Sequence, residues 1–382
     1  MTAMTARYFS WARFWAMVYK EFIQMRRDRV TFGMMVGIPL LQLILFGYAI
    51  NSDPKHLPSA LLSADNSMFA RSFVHGMENS GYFRFVAHIQ SEQEADVLLD
   101  RGEVQFVLTI PENFSRKLQR GERPVLLLEA DASDPAATSN ALAALTTLGA
   151  TVLNRELQGV LQGLQGRSGP FEVRVQRRYN PEGVTQYNIV PGLMGVVLTM
   201  TLVMMTALAV TRENERGTME NLLATPVRPI EVMVGKIVPY ILVGLIQVTL
   251  ILGVARFLFE VPLLGSLWLL YGMVLLFIAA NLMLGITFST LAKNQLQAVQ
   301  MTFFFFLPSI LLSGFMFPFR GMPGWAQTIG SALPLTHFLR AVRGILLKGN
   351  GLFETVPHLW PVALFLFAVA LVGISRYRAT LD

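Results

Sequence analysis

The chain has 382 residues, 53% of them hydrophobic and only 15% charged, with a net charge of +6 and no cysteine. A soluble domain carries about 25% charged residues, so this composition points to lipid. The missing cysteine excludes disulfides, thiolate catalysis and cysteine metal sites. The bases gather beside apolar runs, where they read as membrane topology rather than nucleic-acid binding.

Residues 1–30 hold "RYFSWARFWAMVYKEFIQMRRDR", in which Phe14, Met17, Val18 and Phe22 with Trp11 and Trp15 give an interfacial amphipathic helix. It leads into Thr31–Ile50, a first span without a charge. No small-residue cleavage pattern follows in "NSDPKHLPSA", so this is an uncleaved anchor and not a signal peptide. Five further runs lack any Asp, Glu, Lys or Arg: Gln186–Val210, Ile237–Ala255, Val261–Ala292, Asn294–Phe319 and Thr355–Ser375. Crossing the hydrocarbon takes about 20 residues at ~1.5 Å each, and all six runs reach that length. The expected spans are 31–50, 186–210, 237–259, 264–291, 297–318 and 357–376, with a tail at 377–382.

Thirteen bases (Arg7, Arg13, Lys20, Arg26, Arg27, Arg29, Arg212, Arg216, Arg228, Lys236, Lys293, Arg376, Arg378) fall on one side of such a layout. Five (Arg256, Arg320, Arg340, Arg343, Lys348) fall on the other. Lys and Arg resist translocation, so both termini are expected in the cytoplasm and residues 51–185 outside. That long segment reads as an α/β domain. "SALLSA", "FRFVAHI", "VQFVLTI", "PVLLLEA" and "FEVRVQRRY" have strand character. "SMFARSFVHGMEN", "SEQEADVLLDRG" and "PENFSRKLQRG" have helical spacing, with glycine closing the last two. A longer helix is expected over about 135–165, and the alternation favours a mixed or parallel sheet.

Between the last two spans, residues 319–356 place Leu335, Phe338, Leu339, Val342, Ile345 and Leu346 at helical spacing. An amphipathic helix on or dipping into the outer leaflet fits this pattern, and so does an ordinary surface helix.

The motifs of chemistry are missing. There is no G-x-x-x-x-G-K-[ST], G-x-S-x-G or H-E-x-x-H. His56, His75, His88, His337 and His358 share no ligand spacing. "EADASDP", with Glu129, Asp131 and Asp134, lacks the glycine and closing Glu of a calcium loop and reads as a capped strand-to-helix turn. Gln42, Gln247 and Asn281 suit interhelical hydrogen bonding. Arg256, four residues before Glu260, snorkels or pairs at a span end. No acid or base lies deep in a span, which counts against a self-powered carrier.

One dense block stands between greasy runs: "RENERGTMENLLATPVRPIEVMVGK", residues 212–236, with four acids, four bases and two prolines. Thr218 can cap a short helix whose Met219, Leu222 and Leu223 share a face, with Glu213, Glu215, Arg216 and Glu220 on the approach and other face. Pro226 ends it and Pro229 can start the next. Such a helix suits docking to a cytoplasmic partner, though a solvated loop fits the spacing equally.

"ENERGTMENLLATPVRPIEVMVGKIVPY" resembles the cytoplasmic segment of ABC-2 type transporter permeases, and "LLSGFMFPFRGMPGWAQTIGSALPLTHFLRAVRGILLKG" resembles their C-terminal outer segment. "LLSADNS" and "EADASDPAAT" resemble outer-domain landmarks of the bacterial multidrug-exporter branch. The resemblance implies a polytopic α-helical membrane protein of six transmembrane helices, with an α/β extracytoplasmic domain between helices 1 and 2. It implies a permease without its own ATPase site, in a bacterial inner membrane. Separate P-loop ATP-binding subunits would bind ATP and Mg, and a second permease copy or sister permease would complete the channel. A periplasmic adaptor protein is a further implied partner. By the same match Glu213, Glu215, Arg216, Gly217, Thr218, Glu220, Leu222 and Leu223 form the ATPase-coupling surface. Met301, Phe303, Phe304 and Phe306, in and beside "FFFFLPS", are candidates for the path of a lipophilic or drug-like substrate; aromatic helix packing is the competing reading. A secondary transporter, or a membrane-anchored sensor or scaffold using the outer domain, is the alternative.

Overall fold

The architecture comes from a computed structural model that describes residues 54–153, 170–215 and 229–379. The helix and span expected at 1–30 and 31–50 lie outside the described residues, as do Gln42 and residues 216–228 of the charged block.

The first part is a five-stranded mixed sheet. Its strands are β1 (Leu57–Ser63), β2 (Phe83–His88), β3 (Phe106–Ile110), β4 (Val125–Asp131) and β5 (Glu172–Arg178), in the order β2-β1-β3-β4-β5. Only the β3–β4 pair is antiparallel. Strand alternation makes the sheet two-sided. Leu57, Leu61, Phe106, Leu108, Leu126 and Leu128 face one core, where α1 (Met68–Asn79), α3 (Phe114–Gln119) and α4 (Pro135–Thr151) supply Phe73, Met77, Phe114, Leu118 and Leu145. Phe171 meets Phe73 edge-on at 5.1 Å and Phe114 at 6.0 Å, an arrangement that aromatic quadrupoles favour. On the other face Ala60, Val104 and Val107 meet Ala95 and Leu99 of α2 (Glu92–Asp100). Ser67 and Ser91 cap α1 and α2 by accepting from Ala70 N and Glu94 N. Gly102 (φ 67°) and Gly121 (φ 73°) turn the chain after α2 and α3, where a side chain would be strained.

The second part is helical: α5 (Thr185–Glu215), α6 (Pro229–Phe257), α7 (Leu267–Leu291), α8 (Gln295–Leu312), α9 (Gly324–Ala332), α10 (Pro334–Arg343), a π-helical turn Gly344–Lys348, and α11 (Leu352–Ala379). Among the described residues five stretches are long and apolar enough to cross a membrane: Thr185–Arg212, Pro239–Phe257, Leu267–Leu291, Gln295–Leu312 and Leu352–Gly373. The turn from β5 into α5 is fixed by buried Asn180, whose amide accepts from Val184 N and donates to Val184 O, both at 2.9 Å. The helix α7 lies at the centre, packed on α5, α6, α10 and α11. Close approach to α5 needs Gly285, where an added Cβ would meet Val203 O at 2.7 Å and Thr206 Cβ at 2.8 Å.

Two expectations need correction. The apolar face of α10 and the π turn does not lie against lipid or solvent. Leu335, Phe338, Leu339, Val342, Ile345 and Leu346 are all at most 1% exposed, inside the helical core. Phe338 stacks on Phe277 of α7 with ring centroids 4.0 Å apart. An amphipathic pattern records one apolar face, and here α5, α7, α8, α9 and α11 pack around the helix, so the same spacing leads inward. Among the described residues Asn281 makes no interhelical bond: its Nδ2 donates to Phe277 O of its own helix at 2.9 Å, and its Oδ1 is buried without a partner there. Gln247 does bond across, accepting from Thr201 Oγ1 of α5 at 3.1 Å. Asn281 is one methylene shorter than Gln247, and its Nδ2 is satisfied by Phe277 O one turn back in its own helix.

Candidate functional site at the sheet–helix junction

The segment after α8 reaches back across the chain and grips the sheet domain. Lys348, the last residue of the π turn, donates to Leu99 O at 2.8 Å and to Asp131 Oδ2 at 2.6 Å, with its Nζ 4.8 Å from the Tyr179 ring centre. Asn350 Nδ2 donates to Asp100 O at 3.0 Å. Arg320 Nη2 donates to Gly102 O and, at 3.5 Å, to Glu103 O. Three side chains thus hold the end of α2 and the turn that follows it, and Lys348 also reaches the end of β4. The Lys348 and Asp131 side chains are 7% and 8% exposed, so the pair is desolvated and its geometry matters more than its charge count.

Local sequence explains the aim. The carbonyls of Ile345 and Leu346 in the π turn accept from Gly265 N at 2.9 Å and Leu264 N at 3.1 Å, so the loop before α7 braces the turn that presents Lys348. A Cβ at Gly265 would meet Ile345 O at 2.4 Å, which only glycine avoids. On the sheet side, Arg178 donates to Glu129 Oε1 at 2.7 Å and to Asp96, while Tyr179 Oη donates to Asp100 Oδ1 at 2.6 Å. Burial works against the Arg178 cation, but Asp96 and Glu129 outweigh it and raise its pKa.

Beside the clamp lies a cavity of about 330 Å³. The sheet domain contributes Asp100, Asp131 and Asp134, and the helical part contributes Arg320, Arg340, Arg343, Lys348 and His358. Each acid already has a partner: Asp131 holds Lys348, Asp100 accepts from Tyr179, and Asp134 accepts from Asn188 Nδ2 at 3.1 Å. Burial pushes the Asp134 carboxyl up toward its neutral form, against the pull of Arg343. The guanidiniums are less well matched. Among the described residues no carboxylate lies within ion-pair distance of Arg320, Arg340 or Arg343. Arg340 lies over the Phe319 ring at 4.4 Å, and burial, then Arg320 and Arg343, push its pKa down to about 10. Arg343 donates to Gly314 O at 3.3 Å, but its Nε and Nη2 are buried without a partner. Three like charges crowd one wall.

Sequence reasoning used Arg320, Arg340, Arg343 and Lys348 only as topology markers. A usable signal was present: bases persisting on an otherwise apolar helix, in a segment short of acids. His337 and His358, remote in sequence, have ring centroids 5.9 Å apart near the same wall. Asp134 does stand at the N-cap position of α4, without a side-chain capping bond, and Asp131 Oδ1 accepts from Ser133 N at 3.0 Å in the turn.

The expected coupling residues Arg216, Gly217, Thr218, Glu220, Leu222 and Leu223 lie outside the described residues. Glu213 belongs to α5, and Glu215 is its last residue. Glu215 Oε1 accepts from Gln295 N at 2.8 Å and its Oε2 from Gln295 Nε2, while Arg212 Nε donates to Gln295 Oε1 at 3.4 Å. The carboxylate therefore caps the first residue of α8, where the helix dipole favours negative charge. Met301, Phe303, Phe304 and Phe306 all lie on α8, but successive residues turn about 100°, which puts Met301 and Phe304 on one side and Phe303 and Phe306 on the other. Phe304 is 42% exposed and Phe306 packs on the helical core, so they are not brought together on one surface. Arg256 and Glu260 form no ion pair among the described residues.

Membrane-length helices with a sheet domain clamped to one end define a multi-pass membrane protein. The chain belongs to the ABC-2 family of transporter proteins, whose profile matches residues 29–375. It is 32% identical over 379 residues to the probable multidrug ABC transporter permease YbhS of Escherichia coli K12, covering 96% of each chain. To the probable multidrug ABC transporter permease YbhR of the same organism it is 29% identical over 365 residues, covering 96% of this chain and 97% of that one. The inner membrane transport permease YhhJ of that organism is 29% identical over 342 residues, covering 85% and 86%.

Proposed function

We propose that this chain is the membrane-spanning permease subunit of an ATP-driven exporter that moves a lipophilic or drug-like substrate out of the cytoplasm or inner membrane. The observation that carries the reading is the family match along residues 29–375 in a chain whose sequence has no P-loop of its own. Energy then comes from separate ATP-binding subunits, which bind ATP and Mg and drive alternating access between two permease copies or sister permeases. In this reading six helices span an inner membrane, both termini are cytoplasmic, and residues 51–185 are periplasmic, within reach of an adaptor protein.

Coupling runs through the charged block. Its helix after Glu215 docks on the ATPase with Arg216, Gly217, Thr218, Glu220, Leu222 and Leu223. The cap that Glu215 places on α8 supports this, because a push on the block reaches two spans at once. The test is co-purification in detergent from the native host, with mass spectrometry of what stays bound. A P-loop ATPase whose hydrolysis rises in the complex is expected. Glu220→Arg is expected to insert normally yet to separate ATP hydrolysis from transport; normal transport by that variant removes the coupling assignment.

A further inference from the structure

The arginine wall beside the clamp is expensive as it stands. The cavity is lined by five Lys and Arg side chains (Arg101, Arg320, Arg340, Arg343 and Lys348) and three acids, and each acid is already engaged by a partner in the protein. Like charges at close range in a partly desolvated site repel strongly, so a fold keeps them when something neutralises them part of the time. Arg340 lines the cavity and, among the described residues, makes no ion pair; its guanidinium lies over the Phe319 ring, which fixes its plane. Arg320 is held in place by its backbone acceptors while its remaining donors stay uncommitted. Arg343 adds charge from behind the wall, with two buried nitrogens unsatisfied.

We propose that this cavity is an oxyanion site that takes a phosphate-type group, with Arg340 as its principal ligand and Arg320 and Arg343 completing the positive field. Guanidinium forks match phosphate geometry in pairs, and a phosphate brings the charge that the wall lacks. About 330 Å³ holds a phosphate or phosphodiester group with its waters but not a drug-sized molecule in addition. The group is either a free phosphate or the headgroup of a lipid. Met316, Trp325 and Ile329, exposed on the neighbouring segment, give a lipid apolar contacts that a free ion would not use.

The proposal concerns the ligand of this site and does not depend on the exporter reading. Full-length protein in detergent is melted with sodium phosphate against sodium chloride at equal ionic strength, and with dioleoylphosphatidylglycerol against dioleoylphosphatidylcholine. Phosphate, phosphatidylglycerol or both should raise the melting temperature where their controls do not. A shift with phosphate identifies a free-anion site, and a shift with phosphatidylglycerol alone identifies a lipid headgroup. Arg340→Gln should weaken the response at least about ten-fold while raising the unliganded melting temperature, because it relieves repulsion. A merely structural arginine would lower it instead. Arg256→Gln, which does not line the cavity, should change neither quantity. Where Arg340→Gln does not accumulate, Arg340→Lys keeps stem and charge but loses the fork, and should still weaken the response. No shift with either probe overturns the proposal, as does an undiminished shift in the Arg340 variants or an equal loss in Arg256→Gln.

Discussion

Lys348 and Asp131 illustrate what a single buried pair does here. Removing one partner leaves the other charge desolvated, and such losses run about 3–5 kcal/mol, whereas replacing both with apolar residues is often close to neutral. Lys348→Met and Asp131→Leu should each lower the melting temperature of the full chain sharply, and the double variant should recover most of the loss. Strict additivity in that cycle would mean that the pair does not act as a unit. Asp65 works differently. Burial raises its pKa, but N–H donors of Ser115 and Ser67, each at 2.8 Å, outweigh this and leave it below the usual 3.8. A lowered pKa in the folded state means that its contribution is present above about pH 4 and is lost as pH falls below that value. Asp65→Ala in a fragment of residues 51–185 should cost about 1–3 kcal/mol at neutral pH and flatten the acid limb of its stability. An unchanged acid limb would show that another carboxylate governs it.

At the scale of elements, the helices pack through glycine. Gly285→Ala on α7 pushes a Cβ against the backbone of α5, at Val203 O, so the helix and not merely a side chain must shift. Overpacking of this kind costs about 1–3 kcal/mol. Gly272 lies on the same helix with nothing within 4 Å of its would-be Cβ, so Gly272→Ala should be neutral or slightly stabilising. Thermal melts of the two variants side by side separate a packing cost from a propensity effect; equal losses would contradict the account. The contrast between elements also explains what could be read from sequence. Strands and spans were legible because each has one dominant pattern, apolar alternation or an unbroken charge-free run. The destination of α10 was not, because its apolar face meets α7 about sixty residues earlier in the chain, as at Phe338 and Phe277. Nor was the end of α8 at Leu312: "LLSGFMFPF" stays apolar, while Gly314 (φ 84°) turns the chain. The arginine wall was hidden for the same reason as the clamp. Its arginines lie close in sequence, but the acids and carbonyls they face on the sheet domain are brought to them by packing over long sequence separations, and spacing carries no record of that.

At the scale of the molecule, two cores stand side by side, each with its own buried cluster. The sheet core is complete without the membrane-length helices: among the described residues its buried cluster draws on β1 to β4, α1, α3, α4, Leu153 and Phe171. Residues 51–185 alone are therefore expected to fold as a soluble mixed α/β domain. A disordered circular-dichroism spectrum would refute this and make the helices part of the sheet domain's fold.

The clamp also fixes an order of events during synthesis. The sheet domain leaves the ribosome long before residues 320–350 exist, yet its α2–β3 turn is held by Arg320, Lys348 and Asn350, between 217 and 250 residues later in the chain. Until those residues emerge, the carbonyls of Asp100 and Gly102 lack the donors that hold them in the finished chain. Docking is then the step that marks a finished polypeptide. A chain cut short after α8 would lack the clamp, and its α2–β3 turn is expected to be cut by an added protease faster than in the full chain.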